Sequence, residues 1–169
     1  KHMPDGRQNT ITQMTELIVQ NYNHPSIVVW GLSNEISMNG STPDLIENHH
    51  VLNDMVHQMD STRLTTIAAV SMAKIDDPYI HISDVVSYNH YFGWYMQTCE
   101  GLDKWLDNFR SVNPGLKMGI SEYGAEGVLG YFSDSPVQGD YSEGYQAMYH
   151  EHYIKAINER EWLWGSYVW

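Results

Sequence analysis

The chain has 169 residues, 42% of them hydrophobic, which is ordinary for one domain with a real core. It carries 9 Lys and Arg against 21 Asp and Glu, a formal charge of −12, which makes nucleic acid a poor partner and calls for a neutral substrate or one whose anionic group meets a local cation. No run approaches the ~18 apolar residues of a membrane span, the N-terminal Lys1–Arg7 lacks the apolar core of a signal peptide, and the single cysteine, Cys99, makes no internal disulfide.

The elements follow from periodicity. Ile11, Met14, Ile18 and Tyr22 recur at helical spacing, so a helix is expected over 7–22, ended by Asn23-His24-Pro25. Ile27-Val28-Val29-Trp30 is a continuous run, expected to be a strand buried on both faces. Thr42-Pro43 reads as the start of a helix with Leu45, Leu52, Val56 and Met59 on its inner face. A second strand is expected over 64–70, a weak helical stretch within 71–84 and a third strand over 85–91. Leu102, Trp105, Leu106 and Phe109 stand at i, i+3, i+4 and i+7, a strongly amphipathic helix broken by Pro114-Gly115. Lys117 to Ser121 reads as a fourth strand. Ser142 can cap a last helix carrying Tyr145, Tyr149 and Ile157, and Trp164–Trp169 is a final apolar run. Strand and helix alternate, which argues for parallel strands with crossover helices. Periodicity alone fits an open doubly wound sheet or part of a (β/α)8 barrel. The first strand runs into Gly31-Leu32-Ser33-Asn34-Glu35 rather than a glycine-rich phosphate loop. Polar groups straight after a buried strand suit the catalytic face of a barrel.

Two carboxylates stand where strands should end, Glu35 and Glu122, 87 residues apart. Parallel strands end on one side, so both are expected to face one cleft. Hydrolysis of a sugar acetal needs such a pair, one protonated to assist the leaving oxygen and one ionised to attack. Asn34 offers an amide for a sugar hydroxyl, and Gly124 would allow a tight turn after Glu122. The chain also has 6 Trp and 12 Tyr, and aromatic faces pack well on pyranose rings, although large aromatics equally fill large cores.

The block from Asn23 to Glu35, Asn-His-Pro-Ser-Ile-Val-Val-Trp-Gly-Leu-Ser-Asn-Glu, closely resembles the acid/base signature of glycoside hydrolase family 2. Ser121-Glu122-Tyr123-Gly124 resembles that family's nucleophile strand, Tyr88–Tyr95 its sixth strand, and Ser166–Trp169 the start of its eighth. The resemblance implies strands four to eight of a partial (β/α)8 TIM barrel spanning 1–169, with strands one to three and everything beyond strand eight supplied by a longer chain or a partner chain. It implies a retaining mechanism with Glu35 as acid/base and Glu122 as nucleophile. Asn34 would hold the hydroxyl next to the anomeric carbon, Tyr91 would hydrogen-bond the nucleophile, and Trp94 and Trp169 would contact the sugar. The wording is most similar to bacterial β-galactosidases. β-Glucuronidase, β-mannosidase and a non-catalytic carbohydrate-binding fragment are the alternatives. Some β-galactosidases carry a His three positions after the nucleophile, where this chain has Ala125.

Other constellations are weaker. His50, Asp54 and His57 share a helical face and could bind a cation, but suit a solvated face better. His150-Glu151-His152 lacks zinc-protease spacing, and no G-x-S-x-G occurs. His24 precedes its strand and is expected to be structural. The segment is expected to require no cofactor. Magnesium, which some relatives place near the acid/base, is compatible with the full-length enzyme. The expected setting is soluble, with the cytoplasm slightly favoured.

Overall fold

The computed structural model describes residues 5–169, so part of the N-terminal stretch read for a signal peptide lies outside the described residues. Strand order in the sheet is the chain order, β1 to β5. The chain forms two compact units, one ending at Val86 and one running Ser87–Trp169.

In the first unit, α1 (Gly6–Asn21) buries Met14 and Ile18, one turn apart on its inner face. Arg7 near its start bonds Asp44 at 3.0 Å and Glu47 at 3.1 Å on the next helix. That helix, α2 (Pro43–Met59), begins where Thr42-Pro43 predicts. Pro43 gives up no needed N–H, and the Thr42 hydroxyl accepts from the Leu45 N–H at 3.2 Å. Its inner face is His49, Leu52 and Val56; His49 was not among the residues expected there. β1 (Val29–Asn34) pairs in parallel with β2 (Leu64–Val70). A short 3-10 helix (Pro78–His81) occupies the stretch read as weakly helical.

One expectation fails here. Ile27–Trp30 is not a strand buried on both faces. Pairing begins only at Val29, opposite Leu64, and Val28 is 66% exposed. The segment before the strand is held by a side chain instead. Arg63 Nε donates to the Ile27 carbonyl at 2.8 Å, and its Nη2 donates to the carbonyls of both Tyr22 and His24. So at His24 it is the carbonyl that is engaged. Arg63 also meets Asp60 at 2.7 Å, and its guanidinium lies over the Trp30 and Tyr22 rings. The buried Asp60 carboxylate further accepts from Thr62 N, Thr62 Oγ1 and Trp30 Nε1. The Thr62 hydroxyl leads these bonds in holding its carboxyl far below the usual carboxylate range. A buried charge this well bonded is stable only as a complete set.

The chain passes from the first unit into the second along β3 (Val85–Asn89) and continues to α3 (Glu100–Val112), whose Leu102, Leu106 and Phe109 are fully buried at the predicted spacing. β4 (Met118–Tyr123) pairs in parallel with β5 (Leu163–Val168). Between them α4 (Glu143–Asn158) starts at Ser142, whose hydroxyl accepts from the Tyr145 N–H at 3.1 Å. Its inner face is a tyrosine ladder, Tyr145, Tyr149 and Tyr153, at i, i+4 and i+8.

Candidate active site

Both strand ends that carry the candidate carboxylates are built unusually. In the first unit, β1 holds one residue more than β2 between the pairs Gly31–Thr66 and Asn34–Ala68, a bulge. Asn34 closes the strand. Glu35 follows with a left-handed φ of 55°, which a glutamate adopts only under constraint, and its N–H donates to the Ala68 carbonyl at 2.9 Å. The bulge and this bond fix where the Glu35 side chain starts.

In the second unit, Glu122 lies within β4 rather than after it, because the strand runs two residues past the predicted end. Its carbonyl accepts from the His90 N–H at 2.8 Å, so its backbone is held from the neighbouring chain segment. Its side chain is held too: Tyr91 Oη donates to Glu122 Oε2 at 2.8 Å. A phenol donating to a carboxylate is a charge-assisted bond, roughly twice as strong as a neutral one. The backbone folds Tyr91 back on itself, since the N–H groups of Trp94 and Tyr95 both donate to the Tyr91 carbonyl. Tyr95 then packs on Tyr91 with ring centres 5.0 Å apart.

Beside this pair lies a cavity of about 410 Å³, lined by Tyr91, Trp94, Tyr95, Gly127, Gln146 and Trp169 among others. That volume suits a small-molecule ligand. Three residues proposed from sequence, Tyr91, Trp94 and Trp169, share this wall. Trp94 is buried and braced by Tyr141, 5.1 Å away edge to face, whereas Trp169 is 82% exposed. Gly124 has a role other than the expected turn. Its φ is not left-handed; instead the Trp169 carbonyl sits where a side chain would be, and the Trp169 N–H donates to the Tyr123 carbonyl at 2.9 Å. Ala125, three residues past Glu122, lends its carbonyl to Gln146 Nε2 at 2.7 Å. Gln146 and Tyr95 were missed in the sequence. Gln146 has no local signal, since only the docking of α4 brings it to the wall, while Tyr95 could have been found from its place in the Tyr91–Tyr95 turn.

Two histidines of the weaker constellations have carboxylate partners. His57 meets Asp84 at 3.1 Å, and His152 meets Asp103 at 2.8 Å. Among the described residues no three His, Cys, Asp or Glu side chains converge as a metal site needs.

Comparison with known proteins decides the family. The model for "Glycosyl hydrolases family 2, TIM barrel domain" matches residues 2–166. The chain belongs to glycoside hydrolase family 2. It is therefore a segment of a family 2 TIM-barrel domain, as its strand–helix alternation implies. It is 39% identical over 168 residues to a β-glucuronidase of Bacteroides fragilis, covering 96% of this chain and 23% of that protein. Among solved structures, an FMN-binding β-glucuronidase from Facaelibacterium prausnitzii L2-6 matches with a TM-score of 0.94 and 48% identity, over 100% of this chain and 26% of that one. A Bacteroides uniformis β-glucuronidase 2, covalently bound to cyclophellitol-6-carboxylate aziridine, matches with a TM-score of 0.88 and 30% identity, over 100% and 22%. The chain thus spans about a quarter of the length of these family 2 relatives. Most family 2 proteins matched carry the name β-glucuronidase, so the expected β-galactosidase preference is less well supported than its alternative.

Proposed function

We propose that the full-length protein is a retaining β-glycosidase acting on terminal β-glucuronides. Glu122 attacks the anomeric carbon, and the leaving oxygen takes a proton from the Glu35 carboxyl. A glycosyl ester forms on Glu122. Glu35, now a carboxylate, removes a proton from water as the water oxygen bonds to the anomeric carbon and the ester bond to Glu122 breaks, which releases the sugar with its configuration kept. Asn34 binds the hydroxyl next to the reacting carbon, and Trp94 and Trp169 flank the ring. The observation that carries this reading is the Tyr91–Glu122 bond at the edge of an aromatic-walled cavity. A phenol so placed stabilises Glu122 as a carboxylate, the form needed before attack and regenerated at release. The reaction is redox-neutral and needs no cofactor, so the FMN of one relative has no part in it.

The choice of glucuronide rests on the relatives' names. A specific observation favours a second reading, a neutral β-galactoside. Among the described residues the cavity lining includes Glu126 and Gln146 but no Lys or Arg, so a uronate carboxylate would need its cation from elsewhere. A panel of 4-nitrophenyl β-glucuronide, β-galactoside, β-galacturonide and β-mannoside on the full-length protein separates these readings. Glu122→Ala should abolish turnover of the preferred substrate, and azide should partly rescue Glu35→Ala on an activated one. Turnover that survives Glu122→Ala refutes the mechanism. Turnover lost in chelator would point to metal-dependent hydrolysis instead.

A further inference from the structure

Behind the end of β1 lies a hydrogen-bonded set that takes no part in the chemistry above. His49 on α2 and Tyr79 in the 3-10 helix are almost wholly buried. The Ser33 hydroxyl lies 2.5 Å from Tyr79 Oη and 3.0 Å from His49 Nε2. His49 Nδ1 is 2.8 Å from the Leu45 carbonyl oxygen. A carbonyl can only accept, so Nδ1 carries the proton. Burial pushes the ring's pKa down, which keeps it neutral and leaves Nε2 as an acceptor. The direction of every bond then follows. Tyr79 donates to Ser33, Ser33 donates to His49, and His49 donates to Leu45.

The far end of the set is anchored as well. The Tyr79 N–H donates to Asp77 Oδ1 at 2.9 Å, and the same oxygen accepts from the Ser41 hydroxyl at 2.6 Å. The Tyr79 ring stands edge to face with His49 at 4.9 Å. Ser33 is the one member on the strand. It lies inside the bulge between the Gly31 and Asn34 pairs, two residues before the left-handed Glu35. A bulge is the place where strand register can slip, and a slip would turn the following residue to another direction. Ser33 pins it from the helix side, and the Glu35–Ala68 bond pins it from the strand side.

We infer that Tyr79, Ser33 and His49 are positioning residues that fix the bulge at the end of β1 and thereby aim the Glu35 carboxyl. None of them lines the cavity beside Glu122. The inference rests on Glu35 being the acid/base, so the test must separate the two.

A positioning role has a signature that loss of fold lacks. Protonation of the leaving group matters for a poor leaving group and hardly at all for a very good one. On the full-length protein, kcat/KM is compared for phenyl and 2,4-dinitrophenyl glycosides of the preferred sugar. Ser33→Ala and Tyr79→Phe each remove one oxygen. Each should lower kcat/KM on the phenyl glycoside about tenfold, a part of the 10²–10⁴ that a well-placed acid contributes, and change the dinitrophenyl value much less. Ser33→Thr, which keeps a hydroxyl, should restore the ratio. Should Ser33→Ala not fold, Tyr79→Phe reads the same ratio. If Glu35→Ala shifts the ratio and neither hydroxyl variant does, the relay is refuted and the acid/base assignment stands. If Glu35→Ala leaves the ratio unshifted, the assignment of Glu35 fails, and the relay as inferred fails with it.

Discussion

Tyr91→Phe isolates one bond. The ring remains, with its packing on Tyr95 at 5.0 Å, and only the hydroxyl 2.8 Å from Glu122 Oε2 is removed. A hydrogen bond to a charged group contributes about 1.5–3 kcal/mol. At about 1.4 kcal/mol per factor of ten, losing it corresponds to roughly 10–150-fold in whichever step depends on it. The dependence differs between steps. In the glycosyl ester the Glu122 oxygen is a weak acceptor, and as the sugar departs its charge returns and the bond strengthens. Removing the donor therefore raises the barrier to release more than the barrier to attack. We predict that kcat falls about 10–150-fold, that KM falls with it, and that kcat/KM changes far less. Stopped-flow release of nitrophenol from the full-length enzyme should show a burst, and intact-protein mass spectrometry should show the accumulated glycosyl-enzyme. Equal falls in kcat and kcat/KM with no burst would refute the reasoning, because the bond would then serve substrate attack or folding rather than departure.

Asp60→Asn should destabilise the protein by about 3–5 kcal/mol, read as a lowered urea midpoint, because an amide cannot accept from Thr62, Trp30 and Arg63 together; a midpoint within error of the parent contradicts a buried ionised carboxylate there. His90 is wholly buried among Tyr88, Phe92 and Trp105, and burial lowers its pKa from 6.5 to about 3. The unfolded chain therefore binds a proton first, and stability should be lost as pH falls from about 6.5 toward 3, at up to roughly 1.4 kcal/mol per pH unit from this group. Urea midpoints across that range should show a shallower slope in His90→Asn, and an unchanged slope would assign the acid lability elsewhere. Gly124→Ala should displace the Trp169 carbonyl, raising KM while leaving Glu122 in place; unchanged kinetics would show that the wall yields freely.

What was legible in the sequence is what lies close together along it. The block ending in Asn34-Glu35 reads directly because strand and carboxylate are consecutive, and the same holds for Glu122 on β4. Tyr91, Trp94 and Tyr95 fall in one turn, and with Trp169 they line one cavity. What was not legible joins residues far apart in the chain. Ser33, His49 and Tyr79 are separated by 16 and 30 positions, and no period links them. The Asp60 set was half visible, since an Asp two residues before a Thr signals a local turn bond. That Trp30 and Arg63 complete it depends on packing. Val28 was misread because a β-branched run was taken as evidence of burial, while in the fold its neighbour Ile27 is tethered by Arg63 before pairing begins. The sugar was not legible for a different reason. Barrel-strand wording is shared by enzymes of several specificities, and the cations or amides that tell uronates from neutral hexoses need not lie beside the two carboxylates.

The left-handed backbone at Glu35 sets turnover against thermal endurance. A non-glycine residue held at a φ of 55° costs about 1–2 kcal/mol relative to glycine. Glu35→Gly should therefore melt higher than the parent while losing the proposed proton donor altogether. A library screened for heat resistance alone would drift toward that solution, so any effort to harden this protein must score the proposed catalysis in the same round.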